Sequence, residues 1–209
     1  MQLNKLLKIL FVISLVLLIV TLNFKLLALN FNYYQKEFSK LNVYDKIPEA
    51  DKFSLNLINY YKDKEELSNF FNEKEKLHLN DIKELIRKGN LLFYLSLILV
   101  ILFLIYFIYT KNYKAIYSSF LISSLILIIF ILVIFLTNFQ DLFTKFHLLI
   151  FNNDLWLLNP ETDNLINLFP LQFFYDIYIK AGVNILISAF ILIILSLVIR
   201  FKSKQKIFK

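Results

Sequence analysis

His78 and His147 are the only side chains in this chain that titrate near neutral pH without a large shift. Cysteine is absent, which excludes a thiolate nucleophile, a disulfide and a thiolate-bound metal. Proton transfer by imidazole is the chemistry left to consider. Glu75 and Asp81 stand three residues either side of His78, so on a helix both carboxylates can flank the ring. Ile82 and Leu85 follow at i+4 and i+7, which predicts a helix over about 73–88. His147 lies four residues after Phe143, among Phe139, Phe146 and Ile150 at helical spacing. The structural use of a histidine on such a face is to pack there and donate to a backbone carbonyl. Two histidines with nearby acids also suit a two-His-one-carboxylate zinc site. No His-x-x-x-His pair occurs, so neither a metal nor a cofactor is expected.

The elements that must position these residues are dominated by apolar runs. Of the 209 residues, 58% are hydrophobic and 19% charged, against roughly 45–50% and 25% in soluble domains. One core of this size cannot hide so much apolar surface, and a disordered chain would not contain it. The expected fold class is an all-α membrane protein: four transmembrane helices with a small extracytoplasmic cap made from two outer segments. The spans are expected at 6–29, 91–110, 115–137 and 181–199, each near the roughly 20 residues a bilayer requires. The first is read as a retained anchor, because only a poor small-residue cleavage site follows it. The spans after the first carry no charge that would mark an ion path.

Charge sets the expected orientation. With both termini and the turn 111–114 in the cytoplasm, that side holds nine basic residues and no acid. All 16 acids then fall in the outer segments 30–90 and 138–180. The net charge of +7 is therefore a topology signal, and no nucleic-acid partner is expected. The basic tail 200–209, which includes Lys206 and Lys209, is placed to meet anionic membrane lipid. Twenty of the 36 aromatic residues lie in the two outer segments. They suit either an interfacial belt or a greasy pocket for acyl chains. In the first segment Pro48 is expected to open a helix with Leu55, Ile58 and Tyr61 on its apolar face. Gly89 is expected to break or bend the chain before the second span. The second segment reads as a compact strip punctuated by Asn152, Asn153, Asp154, Asn159 and Pro160.

These residues also form two ordered motifs. The first is Glu75, His78 and Asp81 at three-residue spacing within 71–83. The second is Phe146-His147, then Asn153-Asp154-x-Trp156, then Pro160-x-Thr162-Asp163, then Pro170. In both motifs the chain resembles the bacterial lipoprotein intramolecular transacylases, and the resemblance extends over all four spans. Asn159 stands where an acid is expected, Asn164 where proline is usual, and Leu171 where a glutamate is expected. None of these departures touches a histidine.

The resemblance implies a multi-pass protein of the bacterial plasma membrane with its active site at the outer face. The implied substrate is a lipoprotein whose N-terminal cysteine carries a diacylglyceryl group. The implied reaction moves the sn-2 acyl chain to the cysteine α-amine, leaving the N-acyl, S-monoacylglyceryl lyso form. His78 and His147 map to the catalytic pair. Asp81 or Asp154 is placed to orient an imidazole, and Asn153 or backbone N–H groups to stabilise an oxyanion. Glu75, Trp156 and Asp163 are expected to support or shape the pocket. The alternative is a non-catalytic assembly or sensor protein of the envelope, in which both histidines would be core residues.

Overall fold

The computed structural model describes residues 2–205; Lys206 and Lys209 of the basic tail lie outside them. Among the described residues there are nine helices and no strand. They are α1 (Gln2–Ala28), α2 (Phe31–Lys40), α3 (Val43–Lys46), α4 (Ala50–Tyr61), α5 (Glu73–Tyr109), α6 (Tyr113–Phe135), α7 (Phe139–Ile150), α8 (Asn164–Leu168) and α9 (Leu171–Gln205). Helices α1, α5, α6 and α9 are long and apolar enough to cross a membrane. The chain divides into two compact units.

The first unit comprises residues up to Phe24, Gly89–Leu136 and everything from Ala181 on. It holds the apolar lengths of the four spanning helices. Phe11 of α1 packs against Phe103, Phe107 and Phe120, with ring centroids 5.8–6.1 Å apart. Small polar residues bring helix backbones together: Ser123 Oγ donates to Val12 O at 3.3 Å, and Ser196 Oγ to Tyr117 O at 2.7 Å. Lipid tails are as apolar as Leu, so close packing and interhelical hydrogen bonds of this kind hold spanning helices together. Leu91, Leu95, Ile98, Leu102 and Ile105 of α5 stay exposed, as a lipid-facing stripe requires.

The second unit comprises Lys25–Lys88 and Thr137–Lys180. Its core is Tyr34, Phe38, Phe169 and Phe173, with Leu57, Ile58, Leu79, Leu165 and Leu168 around them. Asn30 caps α2 by accepting from Tyr33 N at 3.0 Å. The Asp51 carboxylate of α4 accepts from Gln35 of α2 and Tyr44 of α3 at 2.7 and 2.6 Å. Lys40 of α2 pairs with Asp176 near the start of α9 at 2.6 Å.

Three sequence expectations change here. Gly89 does not break the chain, because α5 is one helix from Glu73 to Tyr109. A single glycine costs a helix only about 1 kcal/mol, which a 37-residue helix absorbs. The boundary at Gly89 is one of composition. The nine charged side chains of 73–88 end there and the uncharged length begins, so His78 belongs to the charged length of α5. Pro48 precedes the start of α4, whose N-cap is Glu49. Its buried face is Ala50, Ser54, Leu57, Ile58 and Tyr61, while Leu55 is exposed. Ile58 and Tyr61 lie on the face as expected, and Ser54 and Leu57 stand there in place of Leu55.

Candidate active site

Helix α5 starts with a reciprocal cap. Asn72 Oδ1 accepts from Glu75 N at 2.9 Å, and Glu75 Oε2 accepts from Asn72 N at 2.6 Å. Glu75 is wholly buried, and its other oxygen accepts from Leu165 N on α8. Burial raises its pKa above the usual carboxylate range. Glu75 thus joins two helix starts, with both its oxygens engaged by backbone.

Asp163 is a second joint. It is buried and accepts from Asn72 Nδ2 and Asn159 N, both at 2.8 Å. Those bonds, the Asn159 N–H foremost, hold its pKa below the usual range. Together the two carboxylates bind the segment 159–165 to the first turn of α5. The signal for this joint was the Asn-x-x-Glu spacing at 72–75, which is a capping pattern as well as part of a chemical motif.

The histidines come together. His78, one turn into α5, and His147 on α7 are both buried, with ring centroids 6.2 Å apart. Asn138 caps α7 by accepting from Gln140 N and Asp141 N at 2.9 and 3.2 Å. Nine residues later His147 Nδ1 lies 2.7 Å from Phe143 O. A carbonyl can only accept, so Nδ1 carries the proton and Nε2 keeps the lone pair of the neutral ring. His147 is therefore oriented by the carbonyl four residues before it, rather than by Asp81 or Asp154. Asp154 is exposed, and Asp81 accepts from Asn153 Nδ2 at 2.9 Å. That bond takes one of the two N–H donors of the Asn153 amide, the side-chain donor expected for an oxyanion.

Aromatic rings enclose the pair. Phe151, which sequence reasoning passed over, touches both imidazoles, at 5.3 Å from His78 and 5.6 Å from His147. Phe143 lies 4.3 Å from His147 and Trp156 4.9 Å from it. His78 Nδ1 and Trp156 Nε1 are buried and have no hydrogen-bond partner among the described residues. Burial, and then the neighbouring His147, push His78 down to about 4, against the pull of the Asp81 carboxylate. Burial also lowers His147, opposed by its bond to Phe143. Both rings are therefore neutral at pH 7. No group of three or more His, Asp or Glu side chains among the described residues is arranged to hold a metal ion.

The family model of the lipoprotein intramolecular transacylase Lit matches residues 9–174. The chain belongs to that family. It is accordingly a membrane acyltransferase of lipoprotein modification. Its fold is that of the membrane-integral lipoprotein intramolecular transacylase Lit from Bacillus cereus, at 22% identity and a TM-score of 0.81, over 98% of this chain and 99% of that one. Two variants of the same Bacillus cereus protein, with a histidine replaced by arginine or by alanine, superpose with TM-scores of 0.80 and 0.79. Each is 22% identical over 98% of this chain, and over 95% and 96% of its own length respectively. No curated relative matches the chain.

Proposed function

We propose that this transacylase moves the sn-2 acyl chain of a diacylglyceryl-cysteine lipoprotein to the α-amine of the same cysteine, with His78 and His147 as the acid–base pair. The observation that carries the reading is two buried imidazoles with centroids 6.2 Å apart in an aromatic enclosure. A neutral amine adds to the ester carbonyl, forming an N–C bond. The tetrahedral centre then breaks its bond to the glycerol oxygen. The proton lost by nitrogen is gained by that oxygen, so the products are an amide and an alcohol. The ring closed in the attack runs through N, Cα, Cβ, S, two glycerol carbons, the ester oxygen and the carbonyl carbon. Such a medium ring is awkward to form in solution, and a pocket that folds the substrate supplies the missing proximity. Two neutral imidazoles are suited to take the proton and return it. No serine or cysteine nucleophile is needed, because the substrate brings its own.

The same reading places both termini in the cytoplasm and the site at the outer face, where a lipid-anchored cysteine resides. N-terminal peptide mass spectrometry of a lipoprotein, expressed with and without this chain in a host lacking the activity, tests the reaction. The expected product is the N-acyl, S-monoacylglyceryl peptide, with total acyl content unchanged. Gain of an acyl chain without loss of one from glycerol would contradict an intramolecular transfer.

A further inference from the structure

We infer that Trp156 is a catalytic hydrogen-bond donor: its indole N–H binds the sn-2 ester carbonyl oxygen and stabilises the oxyanion that forms there. The inference rests on the transacylase reading above and names a group that reading leaves unassigned.

Three buried side-chain polar atoms lack a hydrogen-bond partner among the described residues: His78 Nδ1, Trp156 Nε1 and Ser119 Oγ. Two of the three belong to residues that touch the His147 ring. A buried, unsatisfied donor costs about 1–3 kcal/mol, so such a group next to a reactive pair calls for an acceptor that arrives with the substrate. Indole N–H is a donor only, and the ring neither gains nor loses a proton at equilibrium in the pH range of enzymes. That rules it out as acid or base and leaves hydrogen-bond donation as its chemistry. Of the rival side-chain donors, Asn153 gives one amide N–H to Asp81 and is exposed, and His147 Nδ1–H is engaged by Phe143 O.

The turn that carries Trp156 is fixed from both sides. Asn153 Oδ1 accepts from Leu155 N at 3.1 Å, and Leu157 N donates to Asp154 O at 3.1 Å. Asp81 on α5 holds Asn153, and Lys74 on α5 donates to Leu157 O. Asp81 and Lys74 thus bracket His78 along one helix and grip the turn on either side of Trp156. A donor held in this way pays no reorganisation when charge develops, which is the condition for strong oxyanion stabilisation. In the reaction the carbonyl oxygen gains negative charge as the N–C bond forms and loses it as the bond to the glycerol oxygen breaks. The indole proton stays on nitrogen throughout.

Trp156 is the only tryptophan in the chain, so biosynthetic replacement of tryptophan alters this position alone. Benzothienylalanine keeps the bicyclic shape and puts sulfur where the N–H was. The protein carrying it should melt as wild type does, lose about 10²–10³-fold in kcat and change little in KM. Trp156→Phe, which also lacks the N–H, should lose at least as much kcat. Full kcat in either protein, or a loss confined to KM, would overturn the assignment. Ultraviolet resonance Raman of the lone indole gives a second readout. Binding an N-acetylated diacylglyceryl-cysteine peptide, whose nitrogen cannot attack, should shift the N–H marker band to its hydrogen-bonded position. Saturable binding with no shift would also overturn it. His78→Ala and His147→Ala are measured alongside. If they are inactive while the benzothienylalanine protein is fully active, only the tryptophan assignment falls. If they are fully active, the transacylase reading of the site falls with it.

Discussion

Removing the Glu75 carboxylate would strand the backbone N–H groups of Asn72 and Leu165 in a buried place. Glu75→Ala is therefore expected to cost about 2–6 kcal/mol, at about 1–3 kcal/mol for each of the two stranded donors. Glu75→Gln keeps one acceptor oxygen and should lose less. Unfolding in detergent micelles checks both, and an Ala variant as stable as wild type would contradict the joint described here. The histidines carry the pH dependence. His78, facing His147 and the Asp81 and Lys74 charges, sits at about 4 in the folded protein and near 6.5 unfolded. Between those values the unfolded chain binds more protons, so stability should fall as pH drops from about 6.5 to about 4, and be flat in this term above. For the same reason kcat/KM should show no inflection near 6.5. Its rise with pH should follow the substrate α-amine, near 8 in an unperturbed chain. A profile from about pH 5 to 9 tests this, and an inflection near 6.5 would mean that a histidine is not held neutral. The pair itself was legible because the chain has only two histidines. Their supports were not. Glu75 and Asp163 find partners about 90 positions away in the chain, and no local spacing encodes that.

At the scale of elements, runs of uncharged residues reveal the spans, because a bilayer tolerates little else. Continuity through Gly89 was hidden, since composition changes there and backbone hydrogen bonding does not. Helix α2 was hidden differently. Tyr34, Glu37 and Phe38 form its buried stripe, and an acid in the stripe breaks the apolar period that marks a helix. The two glycines make opposite predictions. A Cβ at Gly89 would meet Phe24 at 3.7 Å, an ordinary contact, in a helical backbone. Gly89→Ala should therefore leave stability unchanged or raise it by up to about 1 kcal/mol. A Cβ at Gly182 would overlap the Phe135 ring, so Gly182→Ala should destabilise by about 1–3 kcal/mol. Thermal unfolding of the two variants in one detergent should place Gly182→Ala below wild type and Gly89→Ala level with it or above. A destabilised Gly89→Ala would mean that the helix needs glycine there after all.

For the whole molecule, the proposed orientation rests on charge alone, and the absence of cysteine makes it simple to test. Lys111→Cys should resist a membrane-impermeant maleimide in intact cells, and Lys64→Cys should react with it. Labelling of Lys111→Cys from outside would invert the topology and put the histidines on the wrong side for a lipid-anchored substrate. The claim on which everything else depends is that two imidazoles share one proton-transfer sequence. Conversion of diacylglyceryl lipoprotein, read by N-terminal peptide mass spectrometry at matched membrane levels of His78→Ala, His147→Ala and the double variant, tests it most directly. Each single change should lower the rate by about 10²–10⁴-fold, and the double variant should be little worse than either single one, because the two rings act as a unit. Wild-type product from either single variant, or losses that multiply in the double, would contradict the pair.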